Sequence, residues 1–148
     1  MIKLRLAKNN LHDSKFVFNL YNEGVKNGFF FNKKKINFLN HHNWYVSYIN
    51  NKDNFFFIGF INNVKFGYVR FKKDKFYEVS IAIKKIYLNK KLGSKLLSKC
   101  VKISKIKSYI FAKVKKTNIN SYFFFKKNSF KIESDKKSYV ILKKKVNS

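Results

Sequence analysis

Glu78 is the residue of this sequence best suited to act as a general base. The chain contains seven acidic residues, and Glu78 begins a mostly apolar stretch that runs to Ile83. Partial burial in such a strand would make its carboxylate a stronger base, as deprotonation of an ammonium substrate requires. The alternative is a carboxylate at a strand end that pairs with one of the many lysines, and the sequence leaves both open.

A second candidate site follows along the chain, where a short polar link, Leu88 to Lys91, precedes a helix. Gly93 and Ser94 fall in its first turn, and an apolar stripe marks its buried face: Leu92, Leu96, Leu97, Cys100 and Val101. The free N–H groups and the positive dipole end of a helix N-terminus attract anions. Strand, link and helix together predict a site for a phosphorylated cofactor, to which Lys90 and Lys91 could add cationic contacts.

Three further side chains are candidates for holding a substrate. His41 could shuttle a proton or bind a hydroxyl or phosphate group, although a surface histidine is the commoner outcome. Trp44 could stack on a planar ring, with core packing as the alternative. Arg70 is one of two arginines in a lysine-rich chain, which suggests that the fork of a guanidinium is needed there, for example to bind phosphate. An ion pair with Glu78 or Asp74 is the alternative for Arg70.

The formal net charge of +27 is the most unusual feature of the composition. Such a charge ordinarily indicates nucleic acid or an anionic membrane as the partner. Here the lysines are scattered along the chain in pairs, and the abundant residue types have A/T-rich codons, so we attribute much of the charge to compositional drift. We therefore disfavour nucleic acid as a partner and expect the charge to favour anionic small molecules.

The cysteine and histidine content argues against disulfide and metal chemistry. Cys100 is the only cysteine, which excludes an internal disulfide and fits a reducing compartment. The three histidines show no metal-ligand spacing, and no nucleophile–base pair is visible. The N-terminal residues lack a signal-peptide core, and no apolar run is long enough to span a bilayer. We expect a cytoplasmic protein with no metal and no membrane contact.

These residues are placed by an alternation of predicted strands and helices. The expected strands are residues 2–6, 55–61, 64–71, 76–83, 109–114, 130–132 and 139–143. Four helices are expected. The first begins at an Asn10 or Asp13 cap and ends near Gly24, and the second covers residues 36–49. The third begins near Leu92, and the fourth covers residues 118–127. Residues 28–31 are expected to form an aromatic loop, and Asn62-Asn63 a two-residue hairpin turn. Gly67 indicates a bulge or a close approach between strands.

This order of elements predicts the fold class. With no internal repeat and no linker, residues 1–148 are expected to form one α+β domain. Its sheet should be twisted, mixed but mostly antiparallel, with about seven strands flanked by about four helices.

The same order of elements resembles the GNAT superfamily of acetyl-CoA-dependent N-acetyltransferases over nearly the whole chain. Residues 78–97 resemble that family's acetyl-CoA motif. Another set resembles its penultimate helix, with the pattern N-x-x-S-x-x-L-Y-x-K-x-G-F: Asn118, Ser121, Phe124, Phe125, Lys127 and Phe130. The resemblance implies acetyl-CoA as donor and assigns its binding to Ile81, Ala82, Ile83, Asn89, Lys90, Lys91, Leu92, Gly93, Ser94, Asn118, Ser121 and Phe125. It also implies that backbone N–H groups around Ile81 to Ile83 polarise the thioester carbonyl.

Three short strings resemble one subfamily more closely. They are His41-x-x-Trp44, Gly67-Tyr68-Val69-Arg70 and the strand from Glu78 to Ile83. This combination resembles the nucleotide-aminosugar N-acetyltransferases of the pseudaminic-acid pathway. The resemblance implies direct acetyl transfer to the amine of a UDP-linked aminodideoxy sugar, with His41, Trp44 and Arg70 on the substrate side. There are three alternatives: an enzyme that acetylates a peptide amine, a non-catalytic protein that binds nucleic acid, and an acetyltransferase that has lost turnover. The sequence leaves open whether the protein forms a homodimer.

The sequence departs from the family pattern in the phosphate loop and around the penultimate helix. The phosphate loop, usually Q/R-x-x-G-x-G/A, retains only Gly93, so Lys91 must adopt the turn of a glycine at some cost, or the loop must be slightly more open. Ser129 replaces a glycine before the last strands. Phe125 occupies the position of the usual tyrosine acid and cannot donate a proton. Tyr122, about one helical turn earlier, is the substitute we predict, unless the thiolate leaves without assistance.

Overall fold

The computed structural model describes residues 1–26 and 36–146. The aromatic loop expected at residues 28–31 lies outside this part of the chain. The strands are β1 (Ile2–Leu6), β2 (Phe55–Ile61), β3 (Val64–Lys73), β4 (Tyr77–Ile83), β5 (Tyr109–Lys115), β6 (Lys131–Asp135) and β7 (Tyr139–Lys145). The helices are α1 (Leu11–Lys26), α2 (Phe38–Asn50), α3 (Leu92–Ser104) and α4 (Ile119–Lys127), with a short 3-10 turn at Lys85–Tyr87.

The seven strands form one sheet in the order β1-β2-β3-β4-β5-β7-β6. Every neighbouring pair is antiparallel except β4 and β5, which are parallel. The chain makes this parallel pair by crossing over through α3, because parallel neighbours need a long connection. The predicted α+β class and the mixed, mostly antiparallel sheet with four helices are confirmed.

The helices cover the sheet on two faces. On one face, α3 and α4 pack on alternate residues of β4 and β5, and this larger core includes Val79, Leu96, Cys100, Ile110 and Phe125. On the other face, α1 and α2 pack on the first half of the sheet, with Tyr45, Tyr48, Phe56 and Tyr68 in a second core. The predicted alternation in β4 is present, since Val79, Ile81 and Ile83 face the first core and Ala82 the second.

Two local predictions about the β2–β3 hairpin are confirmed. Asn62 and Asn63 have φ angles of 50° and 63° and form the turn that pairs Ile61 with Val64. A register shift follows Gly59 in β2, opposite Gly67. A Cβ atom on Gly67 would lie 2.6 Å from the carbonyl oxygen of Ala82 in β4, so glycine permits the close approach of β3 and β4 at this point.

Several element boundaries differ from the prediction for identifiable reasons. Helix α1 continues past Gly24 to Lys26, and Asn10 rather than Asp13 is its cap, because the Asn10 side chain accepts a hydrogen bond from the Asp13 N–H at 2.9 Å. Helix α2 begins at Phe38 because Asn37 caps it, accepting from the Asn40 N–H at 2.8 Å. The last two strands extend beyond their predicted ends, to Asp135 and Lys145.

Candidate active site

The sheet opens between β4 and β5. These strands pair only at Tyr77 with Ile110 and at Glu78 with Phe111, although β4 continues to Ile83 and β5 to Lys115. Along its other edge β4 pairs with β3 over its whole length. Beyond Glu78, the backbone groups of β4 that face β5 therefore have no strand partner in the described part of the chain. Such groups can bind an extended ligand through N–H and C=O contacts, and Ile81, Ala82 and Ile83 supply them.

The N-terminus of α3 lies immediately after this open strand. Its N-cap residue, Lys91, has a φ of 61° and makes no side-chain capping bond, and Asn89 has the same φ of 61°. Of the two alternatives for Lys91, the structure thus shows the turn, with the backbone in the left-handed region that favours glycine. The side chains of Asn89, Lys90 and Lys91 are exposed. Because no side chain caps the first turn, its N–H groups remain available to an anion.

Helix α4 packs against this end of α3. A Cβ atom on Gly93 would lie 3.1 Å from the Phe124 ring, and the Asn128 side chain donates to the Ser94 hydroxyl at 3.0 Å. At the start of α4, the Asn118 side chain accepts from the Ser121 N–H at 3.2 Å. Phe125 is buried against Phe130, with 4.9 Å between ring centroids.

Tyr122, the predicted proton donor, lies on α4 and is half-buried. Its ring packs against the larger core and meets Phe123 edge-on, with 5.4 Å between ring centroids. The structure thus places Tyr122 on the α3 and α4 side of the sheet.

Glu78 and Arg70 lie on the opposite face of the sheet, beneath α2. Glu78 is half-buried at the last position where β4 pairs with β5. Arg70 pairs with Ser80 in the neighbouring strand, so the two candidate residues share one face of the sheet. The guanidinium lies 5.2 Å from the Trp44 ring centroid and 5.4 Å from that of Tyr48. Among the described residues, no carboxylate lies within 4.0 Å of Arg70, so the alternative ion pairs with Glu78 and Asp74 do not form there.

His41 lies in the interface between α1 and α2. Its side chain is buried, and its Nε2 lies 3.0 Å from the backbone carbonyl of Ser14, to which it can donate. Burial lowers the pKa of His41, which favours the neutral ring. The His41 ring approaches Trp44, with 5.5 Å between centroids. The structure therefore groups Glu78, Trp44 and Arg70 together, and His41 reaches the group through Trp44.

Tyr48 also belongs to this group, although it was not among the site residues predicted from the sequence. It follows Trp44 by one helical turn, and residues at this spacing lie on the same side of a helix. That spacing was the signal available in the sequence. Burial raises the pKa of Tyr48 to about 12, which keeps its hydroxyl protonated.

The described residues fit acetyl-CoA as a ligand. An uncapped helix N-terminus with exposed lysines suits a diphosphate, and the open edge of β4 suits an amide-containing arm. The described part of the chain has no cluster of three or more His, Cys, Asp or Glu residues that could hold a metal. None of its helices is long and apolar enough to cross a membrane.

Comparison with known proteins agrees with this geometry. The acetyltransferase (GNAT) family profile matches residues 18–130, whereas no curated protein matches the sequence. An N-acetyltransferase from Staphylococcus aureus Mu50 superposes with a TM-score of 0.81 at 18% identity, covering 98% of each chain. A ribosomal-protein-alanine N-acetyltransferase from Brucella melitensis gives 0.80 at 15% identity, covering 97% of this chain and 99% of that one.

A phosphinothricin acetyltransferase from Sinorhizobium meliloti, solved in complex with acetyl-CoA, has a TM-score of 0.83 at 14% identity. The superposition covers 99% of this chain and 89% of that one. At such identities the structures establish the fold, and the family profile, which spans most of the chain, establishes the family. The chain therefore belongs to the acetyltransferase (GNAT) family and is an acetyl-CoA-dependent N-acetyltransferase.

Proposed function

We propose that the protein acetylates the primary amine of a nucleotide-linked aminodideoxy sugar by direct transfer, without a covalent enzyme intermediate. One observation carries the choice of acceptor: the Arg70 guanidinium, on the same sheet face as Glu78, has no carboxylate partner among the described residues. A base and a cation on one face can hold an acceptor that carries both an amine and an anionic group.

The cofactor-binding roles are divided between backbone and side chains. The backbone of Ile81, Ala82 and Ile83 would bind the arm of acetyl-CoA, with one N–H donor oriented at the carbonyl oxygen. Residues of the loop and first helical turn would bind the diphosphate: Asn89, Lys90, Lys91, Leu92, Gly93 and Ser94. Asn118, Ser121 and Phe125 would line the α4 side. When bound, acetyl-CoA supplies an acetyl group activated as a thioester.

Proton transfer is assigned to residues on the two faces of the sheet. Glu78 takes a proton from the acceptor ammonium, because only the neutral amine has a lone pair for attack. Tyr122, on the α3 and α4 side, is the proposed donor of the proton that the sulfur takes up. Trp44 and Arg70 orient the acceptor, and His41 supports Trp44 from within the α1–α2 interface.

The overall charge agrees with an anionic acceptor. With a formal net charge of +27, the protein attracts polyanionic substrates and repels basic peptides at a distance. The experiment must therefore compare the sugar nucleotide with a peptide amine, which is the alternative acceptor.

The test is the release of CoA thiol with two acceptors at equal concentration. A UDP-linked aminodideoxy sugar should be acetylated with saturation kinetics, and a lysine-rich peptide should react poorly. Mass spectrometry should show one acetyl group added to the sugar nitrogen. Turnover of the peptide without turnover of the sugar nucleotide would contradict the proposed acceptor while leaving the acetyltransferase activity in place.

A further inference from the structure

Two neighbouring buried polar atoms lack hydrogen-bond partners beneath α2. In the described part of the chain three buried side-chain atoms have no partner, and two of them are the Tyr48 hydroxyl and the Arg70 Nε. Buried polar groups are almost always hydrogen-bonded, because leaving one unsatisfied costs about 1–3 kcal/mol. Two such atoms on adjacent side chains call for a ligand or a solvent molecule that satisfies both.

Both side chains are packed among aromatic rings. The guanidinium is held against the Trp44 and Tyr48 rings, at 5.2 and 5.4 Å from their centroids. Tyr48 packs in turn on Phe56, with 5.4 Å between centroids. Neither the Tyr48 hydroxyl nor Arg70 Nε has a hydrogen-bond partner in the described part of the chain. Both carry a proton to donate, so the group that completes the pair is an acceptor, and next to a guanidinium a negatively charged oxygen fits best.

Trp44 is the more exposed aromatic neighbour of this pair. Its side chain is 38% exposed, whereas Tyr48 is only 6% exposed. The Trp44 ring contacts both the guanidinium and the Tyr48 ring, which lies 5.5 Å away between centroids. A rotation of this partly exposed side chain would bring the two donors closer to solvent. Since Trp44 is the only tryptophan in the chain, its fluorescence reports on that rotation.

We propose that Tyr48 and Arg70 form an oxyanion subsite beneath Trp44, which binds the phosphate or carboxylate group of the acceptor. Tyr48 thereby becomes a specificity residue that selects anionic acceptors. The inference rests on the proposed function for the identity of the acceptor, but binding of the anion itself can be measured without any acetyl transfer.

The binding experiment titrates the protein with UDP and, separately, with succinate, while following Trp44 fluorescence. CoA is kept saturating, so that anions do not occupy the N-terminus of α3. We expect a saturable change with UDP if the subsite takes phosphate, or with succinate if it takes a carboxylate. In Tyr48→Phe and Arg70→Gln, the Kd of the effective probe should rise by about 10- to 100-fold, the loss expected for a hydrogen bond to a charged group.

Tyr45→Phe is a matched control from the same helix. Tyr45 is buried, as Tyr48 is, but its hydroxyl donates to the Lys8 carbonyl at 2.7 Å. Removing the satisfied Tyr45 hydroxyl should lower Tm and leave the probe Kd unchanged. Removing the unsatisfied Tyr48 hydroxyl should leave Tm unchanged or higher and weaken the probe. This crossed pattern separates a ligand-binding hydroxyl from one that serves only the fold.

The outcomes distinguish this inference from the proposed function. If neither probe changes Trp44 fluorescence, or if both bind Tyr48→Phe and Arg70→Gln as tightly as the wild type, the subsite is wrong. If a probe binds as expected but the sugar nucleotide is not acetylated, the subsite stands and the proposed acceptor is wrong. With an accepted substrate, Tyr48→Phe should raise the acceptor KM by the same 10- to 100-fold and leave the acetyl-CoA KM unchanged.

Discussion

Glu78 occupies the position on β4 after which β5 no longer pairs with it. A carboxylate at this position lies next to the open edge of β4 and on the same face of the sheet as Arg70, as a base acting on the incoming amine requires. We expect Glu78→Gln to lower kcat by about 10²- to 10⁴-fold, the usual contribution of a general base. Isothermal titration should show unchanged acetyl-CoA affinity, because the backbone that we assign to the cofactor lies beyond residue 78.

Glu133→Gln is the control for this substitution. Glu133 lies on β6, its side chain is 55% exposed, and its carboxylate is 3.8 Å from the Lys143 ammonium. Its loss should leave kcat at the wild-type value. Full activity in Glu78→Gln, with cofactor binding intact, would remove Glu78 from the mechanism.

Ser129 stands where the family pattern has glycine, and the backbone there still has the conformation that glycine favours. Its φ is 72°, in the left-handed region that costs a non-glycine residue about 1–2 kcal/mol. Ser129→Gly should therefore raise the free energy of unfolding by about 0.5–1 kcal/mol, after allowance for the greater freedom of glycine in the unfolded chain. Urea denaturation measures the change.

Ser138→Gly provides the comparison, since Ser138 is an exposed turn residue without a positive φ. At this position the main effect of glycine is to increase the conformational freedom of the unfolded chain, so the free energy of unfolding should fall slightly. Equal changes in the two variants would show that the left-handed backbone at Ser129 carries no strain.

At the scale of elements, one buried carboxylate joins β1, α1 and β3. Asp13 in α1 is fully buried and accepts from both terminal nitrogens of Arg5, at 2.6 and 3.0 Å. It also accepts from Lys65 at 2.8 Å and from the Lys8 N–H at 2.8 Å. Burial alone would raise the pKa of Asp13, but the hydrogen bonds from Arg5, Lys65 and Lys8 outweigh burial and hold it well below its usual range.

We expect Asp13→Asn to lower the free energy of unfolding by about 2 kcal/mol at neutral pH, because it weakens the charge-assisted hydrogen bonds that Asp13 accepts from the partly exposed Arg5 and Lys65. The pH dependence has a definite sign. A carboxyl with a lowered folded-state pKa contributes stability above its unfolded-state pKa, about 3.9, and loses it as pH falls through the folded-state value. The difference in the free energy of unfolding between wild type and Asp13→Asn should therefore decrease below about pH 4.

Urea denaturation at several pH values tests this, with Asp135→Asn as the control. Asp135 is exposed and pairs with Lys116 at the surface, where an ion pair contributes little. If the difference in the free energy of unfolding between wild type and Asp13→Asn stays constant from neutral to acid pH, the expected link between Asp13 ionisation and stability is contradicted.

Local sequence signals predicted the elements better than they predicted how the elements meet. The Asn62-Asn63 turn and the alternation in β4 depend on neighbouring residues, and both are present. Asp13 was considered only as a helix cap, because its partner Lys65 lies far along the chain. The early end of β4–β5 pairing and the Tyr48–Arg70 contact also join distant segments. Contacts of this kind leave no periodic trace in one sequence.

At the scale of the whole molecule, the two faces of the sheet divide the proposed work. The α3 and α4 face presents the uncapped helix end for the cofactor, and the α2 face presents Glu78 and Arg70 for the acceptor. The two meet at the strand edge where β4 and β5 separate. This arrangement leaves a role for the net charge of +27, since acetyl-CoA and the proposed sugar nucleotide are both polyanions that would reach the same strand from opposite sides.

Salt should therefore weaken the capture of both substrates. A long-range field acts on encounter and is screened within about 10 Å at 0.1 M salt. Between about 50 and about 300 mM NaCl we expect kcat/KM for acetyl-CoA and for the sugar nucleotide to fall at least about threefold, with kcat little changed. The free amino sugar, which lacks the diphosphate, is the control and should show no such fall. If the sugar nucleotide and the free sugar respond alike to salt, the charge of this protein contributes nothing to substrate capture.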